Sequence, residues 1–342
     1  MRLLLLLASA VLMAAEPVTN FPLDPLSKTT ITVTDGDKKY DIPSAMVLIP
    51  SGDFTYGTGS EAHAVTLPAY AIGKYSVTNA EYQKFVDAGL ARAPTHWPEG
   101  HLPPGKENHP VVNISLTAAK AYAAWASKAT GFNYAIPTSA QWEKAARGPK
   151  GYLYPWGNTP EVSYVDGVLH TKFNFNAVIA SRLLQQEPER VTTYENKKST
   201  HYGEKIALKD ITSFDGNRMT RLSAEPNGAV RGWVGHATYT GFIYTDVFTE
   251  LNRLGGNTTP VGAYESGKSG YGCYDMAGNV WNWCDTLIKA TNGAEKGLEV
   301  NEVRGGSWYA TVNSCRSISI GEGRAAAGTY NTIGFRLVAL LK

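Results

Sequence analysis

Cysteine is scarce in this chain: Cys273, Cys284 and Cys315 are the only three among 342 residues. An odd count leaves at least one thiol unpaired, which excludes a framework held wholly by disulfides. Excess charge of either sign is also missing, with 32 Lys and Arg against 30 Asp and Glu. No basic block stands out, so nucleic acid is excluded as an expected partner. Beyond the N-terminus no apolar run reaches membrane-spanning length. Internal repeats and low-complexity tracts are absent. So are a Ser-His-Asp set, a phosphate-binding glycine loop and a paired-carboxylate motif.

Glycine and tyrosine are plentiful, at 34 and 19 residues. That mix suits a loop-rich fold with positive-φ turns and flat amphipathic rings at its surface. The first residues, "MRLLLLLASAVLMAAEP", place Arg2 before an apolar run that ends in Ala14 and Ala15. Residues 1–15 read as a signal peptide, and the mature chain is expected to be secreted or periplasmic. No cysteine follows the run, so lipid attachment is not indicated. Export permits disulfides. The turn-rich "DMAGNVWN" favours pairing Cys273 with Cys284.

Residues 16–43 form a lead-in with a hairpin signal in "TTITVTDGDKKYDI". Three helices have readable starts. Thr78 with Glu81 makes a capping box that ends at Gly89, and Ser115 opens a helix that ends at Gly131. Thr138 with Gln141 opens a third, which stops at Gly148. In the second, Leu116, Ala119, Ala123 and Ala126 share a face. From about 159 to 258 the pattern weakens into a long elaborated loop region. His96, His101 and His109 sit in a Pro-rich stretch at no compact metal spacing, and are read as solvent-exposed loop histidines.

"MVLIPSGDFTYGT", "YSVTNAEYQKFVDA", "HPVVNISLTAAKAYAAWA", "IPTSAQWEKAARG", "YPWGN", "TPVGAY", "YGCYDMAGNVWNW", "RGGSW" and "IGFRL" follow one another in order. Together they resemble the formylglycine-generating enzyme, or sulfatase-modifying-factor, family over residues 44–342, with an insertion at about 177–258. The resemblance implies an α+β fold of irregular, C-type-lectin-like type with little regular secondary structure.

Enzymes of that family oxidise a sulfatase cysteine to formylglycine with oxygen. They carry two cysteines after the tryptophan as W-x-C-x4-C, a pair of soft ligands for Cu(I). Here Ala310 stands at the first position and Cys315 at the second. Copper is therefore not expected, and Cys315 is read as a small, partly buried residue near the sheet. Thr332 stands where the family has Asn before I-G-F-R, with Asn331 one place earlier.

The family's calcium site would map onto Asp275, the carbonyls of Gly278 and Val280, and Asn282, which replaces a usual Glu. A second would use Asn174 or Asn176. The segment from Trp308 to Gly334 lines the family's ligand pocket. It also resembles the variable segment of retroelement-diversified binders. Tyr309, Thr311, Asn313, Tyr330, Asn331 and Thr332 are its candidate ligand-binding residues. The expectation is an exported module that binds a protein or small-molecule ligand and lacks the two-cysteine copper site. The alternatives are an oxygen-dependent formylglycine-generating enzyme or oxidoreductase paralogue, with Cys315 then catalytic, and a diversified variable binder.

Overall fold

A computed structural model describes residues 27–165, 168–175, 255–290, 295–321 and 323–341, with short pieces between 178 and 231. The expected signal peptide, Asn176, Glu322 and most of the expected insertion lie outside the described residues.

Local signals act first. Gly36 and Asp37 turn the hairpin of β1 (Thr30–Asp35) and β2 (Lys38–Pro43), with Gly36 at φ 57°. β3 (Met46–Ile49) is followed by a second hairpin of β4 (Gly52–Tyr56) and β5 (His63–Leu67), then β6 (Tyr70–Gly73). Thr78 and Glu81 form the reciprocal capping box of α1 (Asn79–Asp87). Ser115 caps α2 (Leu116–Thr130), which Gly131 ends at φ 87°. After β7 (Tyr134–Ala135), Thr138 and Gln141 box the start of α3 (Ser139–Arg147).

The C-terminal third supplies β8 (Trp281–Lys289), β9 (Glu299–Arg304), β10 (Ile333–Gly334) and β11 (Val338–Leu340). One sheet, ordered β3-β6-β11-β7, is antiparallel throughout. Its strands alternate with period two. Ala71 and Ala339 face a core with Tyr82, Phe85 and Tyr122 of α1 and α2, while Tyr70, Ile72 and Val338 face α3 through Trp142, Ala145 and Ala146. The second sheet, β9-β8-β10, pairs β8 antiparallel to β9 and parallel to β10. The fold is thus α+β, with short strands and three modest helices, as expected. "RGGSW" is not a strand, however: β9 ends at Arg304 and two glycines turn the chain out of the sheet.

Two buried guanidiniums join these parts. Arg304, with no exposed surface, donates from Nη1 to Glu143 Oε2 (3.1 Å) and from Nε to Glu302 Oε2 (3.2 Å) and Ser139 Oγ (2.6 Å). Its Nη2 reaches the Tyr56 hydroxyl at 2.5 Å. Arg336, equally buried, donates to Asn282 Oδ1 (2.7 Å) and to the carbonyls of Gly73 (3.0 Å) and Tyr274 (2.9 Å).

All three cysteines are buried and free, so the expected Cys273–Cys284 bridge does not form. Both sulfurs belong to the core beneath α3, where burial raises the Cys273 thiol to about 11 and also pushes Cys284 up. Among the described residues no helix is long and apolar enough to cross a membrane.

Removing the Arg304 cation strands two buried carboxylates. Arg304→Met is expected to cost about 3–5 kcal/mol of stability, read as a lower urea midpoint. A loss below about 1 kcal/mol would be surface behaviour and would show that the network does not bind the sheet to α3.

Candidate functional site

The chain leaves β9 through Gly305 and Gly306, at φ 102° and 78°. A Cβ on Gly305 would lie 2.9 Å from the Trp142 ring, and one on Gly306 only 2.4 Å from Cys315 Sγ. Only glycine allows this approach. Trp308 then turns into the core, where its backbone N–H donates to the Asn279 carbonyl (2.8 Å) and its indole to the Asn331 carbonyl (3.0 Å). The "RGGSW" motif is thereby tied to both the "DMAGN" turn and the C-terminal strands. Thr311 caps a short 3-10 turn, Val312–Cys315, by accepting from Ser314 N. Ser317 N donates to the Leu153 carbonyl at 2.7 Å, which fixes the far side of the turn.

Between this turn and the β9-β8-β10 sheet lies a cleft of about 590 Å³. Trp281, Val303 and Ile333 provide its apolar floor, one from each strand of that sheet. Of the six candidate ligand-binding residues, Tyr309, Thr311, Asn313 and Thr332 line it. Tyr330 and Asn331 do not. The Tyr330 ring packs on Trp283 (centroids 6.3 Å apart) under the Arg324 guanidinium (5.6 Å), and the Asn331 carbonyl holds the Trp308 indole. Reading the segment for small and aromatic residues passed over its two cations, Arg316 and Arg324, which also line the cleft. Trp281 was legible in "WNW", since period two places it on the same face as Trp283.

Ala310 lines the cleft, but Cys315 is not among its lining residues. The thiol has no exposed surface and is deeper than the partly buried position expected. Burial raises its pKa well above the ordinary thiol range, despite opposing backbone hydrogen bonds from Ser307 and Gly278. An enclosed thiol whose charged form is disfavoured by burial is a poor nucleophile. Cys273 and Cys284 sit in the α3 core, so no second sulfur joins it. The residues present do not fit a two-thiolate copper site. Among the described residues no three His, Cys, Asp or Glu side chains are grouped to hold a metal.

The calcium candidates divide. Asn282 Oδ1 accepts from the Trp142 indole (3.0 Å) and from the cationic Arg336, while its amide donates to Ser76 (3.0 Å). That oxygen is committed to donors, so Asn282 does not fit the ligand set with Asp275, Gly278 and Val280. Asp275 is buried at φ 53° and accepts from Gly262 N (2.8 Å); burial raises its carboxyl to about 6. Asn174 is different. Its side-chain oxygen is buried without a hydrogen-bond partner, while its amide donates to the Asn257 carbonyl (2.8 Å) and Asn279 (3.3 Å). An orphaned acceptor of this kind suits a hard cation.

The histidines also depart from expectation. His101 is exposed, but His109 is buried, with Nδ1 2.9 Å from the Thr258 hydroxyl. His96 is half-buried against Asn113 (3.0 Å) under Gly255, where a Cβ would meet its ring at 2.3 Å. Tertiary closure over the Pro-rich loop, which no local pattern encodes, accounts for both.

The model of the sulfatase-modifying factor enzyme 1-like domain matches residues 32–203 and 234–341. A formylglycine-generating enzyme of Thermomonospora curvata is 26% identical over 87% of this chain and 94% of its own length. Hercynine oxygenase of Mycolicibacterium smegmatis is 24% identical over 78% of this chain. The chain spans half of that protein, and half or less of several other curated relatives. The solved structure of PvdO from Pseudomonas aeruginosa superposes with a TM-score of 0.52 at 21% identity, over 91% of this chain and 98% of that one.

Two outcomes follow from the site. Burial, the largest cause, and the nearby Lys106 charge lower the His96 pKa from 6.5 to about 4. The folded state then binds fewer protons than the unfolded one, so stability is full above pH 6.5 and lost as pH falls toward 4. The loss is up to about 3 kcal/mol, and His96→Gln should flatten that slope in acid unfolding curves. An unchanged slope would remove His96 from the account. For the cation site, calcium against chelator should raise Tm by mass action. Asn174→Ala should abolish the shift, while Asn282→Ala lowers Tm but keeps it. A shift lost in Asn282→Ala and kept in Asn174→Ala would reverse the assignment.

Proposed function

The chain belongs to the sulfatase-modifying factor enzyme 1-like family, and from that premise we propose that it is an exported binding module. Its ligand is held in the cleft between β9-β8-β10 and the Tyr309–Thr332 segment. The observation that carries this reading is the inverted cysteine position: Ala310 faces the cleft, and Cys315 is enclosed behind Gly306. A cleft of about 590 Å³ lies within the roughly 300–1,000 Å³ range of small-molecule pockets. Loops anchored at both ends by strands are common recognition surfaces. Export rests on residues 1–15, and the N-terminus of the mature secreted chain tests it.

The enzyme reading has support in the names of the relatives, but fold and family host several functions. Its formylglycine-generating form asks for a cysteine partner that Ala310 cannot supply; an oxidoreductase paralogue with other chemistry is the alternative that this substitution leaves open. The decisive assay incubates the protein with Cu(I), oxygen and a peptide bearing the sulfatase cysteine motif. Formylglycine should not exceed the protein-free control. Product that forms with turnover and disappears in Cys315→Ser would overturn the binding reading.

A further inference from the structure

We propose that the cleft selects a small organic anion, its apolar body on the Trp281 floor and its anionic group on Arg316. This inference rests on the binding reading above and names the ligand class.

Arg316 and Arg324 both line the cleft, and no Asp or Glu is among its described lining residues. Arg324 is engaged locally, donating to the Gly323 carbonyl (2.7 Å) and lying over the Tyr330 ring. Arg316 uses only Nε, which donates to the Asn313 carbonyl at 3.1 Å. Among the described residues no acceptor meets either of its Nη groups. That bond ties Nε to the turn and leaves the fork of outer donors, the geometry that recognises carboxylate, sulfonate or phosphate oxygens.

Among the described residues, the lining around it offers hydroxyls. Ser314 and Thr311 share a hydrogen bond (3.0 Å), and Ser319 donates to the Asn313 carbonyl (3.0 Å). Below them Trp281, Val303 and Ile333 are apolar. A cation above an apolar floor fits a ligand with both an anionic end and a hydrophobic body. A bare inorganic anion would leave the floor unused, and a neutral ligand would leave Arg316 unmatched.

The test uses two probes of nearly the same apolar frame. Anilinonaphthalene sulfonate carries an anion, and N-phenyl-naphthylamine does not. Saturable one-to-one binding of the sulfonate is expected in the native full-length protein, at least about tenfold tighter than the neutral probe. Arg316→Gln should weaken the sulfonate about tenfold, a charged hydrogen bond's worth. It should leave the neutral probe and the melting curve unchanged, and Arg316→Lys should restore part of the difference. Asn313→Trp, at an exposed lining position whose side chain holds nothing in place, should block both probes. Equal affinities that Arg316→Gln does not alter, with blockage by Asn313→Trp, would overturn the anion inference and leave the binding reading standing. No saturable binding, or binding that survives Asn313→Trp, would overturn both.

Discussion

The Arg304 guanidinium is the constraint on which the functional face depends. It has no exposed surface, so its donors must be met inside the protein. Glu143 arrives from α3, Glu302 from β9, Tyr56 from the β4-β5 hairpin, and the Ile318 carbonyl (3.1 Å) from the cleft wall. Glu143 also accepts from Gly57 N (2.8 Å) and Arg147 (3.2 Å), so the cluster continues into the hairpin turn. Three other segments thus converge on one cation and its own strand. Such a cluster gives little net stability over an apolar replacement, but it tolerates no partial disassembly. It holds the loop carrying Ile318 and Arg316 in register with the sheet beneath it.

Arg336 does the same one strand away. Its donor set holds Asn282, the "DMAGN" turn and the end of β6 together. This explains why a residue at a family calcium position has no oxygen to spare. A carboxylate there would face both an ion and a guanidinium. An amide satisfies Arg336, Trp142 and Ser76 without any ion. The same logic applies to Cys315. Its neighbours Gly306 and Ser307 close over it, so its sulfur serves as a packing atom against glycine backbone. With Ala310 in the cleft and Cys315 enclosed, the described lining of the recess presents no pair of thiols.

Much of this fold was legible because its signals are local. Thr78 with Glu81, Thr138 with Gln141, and Ser115 with Gly131 marked the helices to within a residue or two. Asp35-Gly36 marked the first hairpin. The segment from Trp308 to Gly334 was picked out by the family resemblance, and Tyr309, Thr311, Asn313 and Thr332 of it line the cleft. What escaped were long-range electrostatics and closure. Arg304 meets Tyr56 across 248 residues of sequence, and His109 meets Thr258 across 149. No periodicity encodes such contacts. The Cys273–Cys284 pairing failed for a related reason: a turn between two cysteines suggested proximity. Both thiols enter one buried core and are free there.

The central claim is that Cys315 is a structural thiol sealed from the cleft. Native-state thiol labelling tests it most directly, with the modified residue identified by peptide mass spectrometry. The account predicts that Cys315 reacts with a small disulfide reagent no faster than the protein unfolds globally, in step with Cys273 and Cys284 as denaturant is added. Rapid labelling of Cys315 alone in the folded protein, slowed by ligands of the cleft, would contradict it.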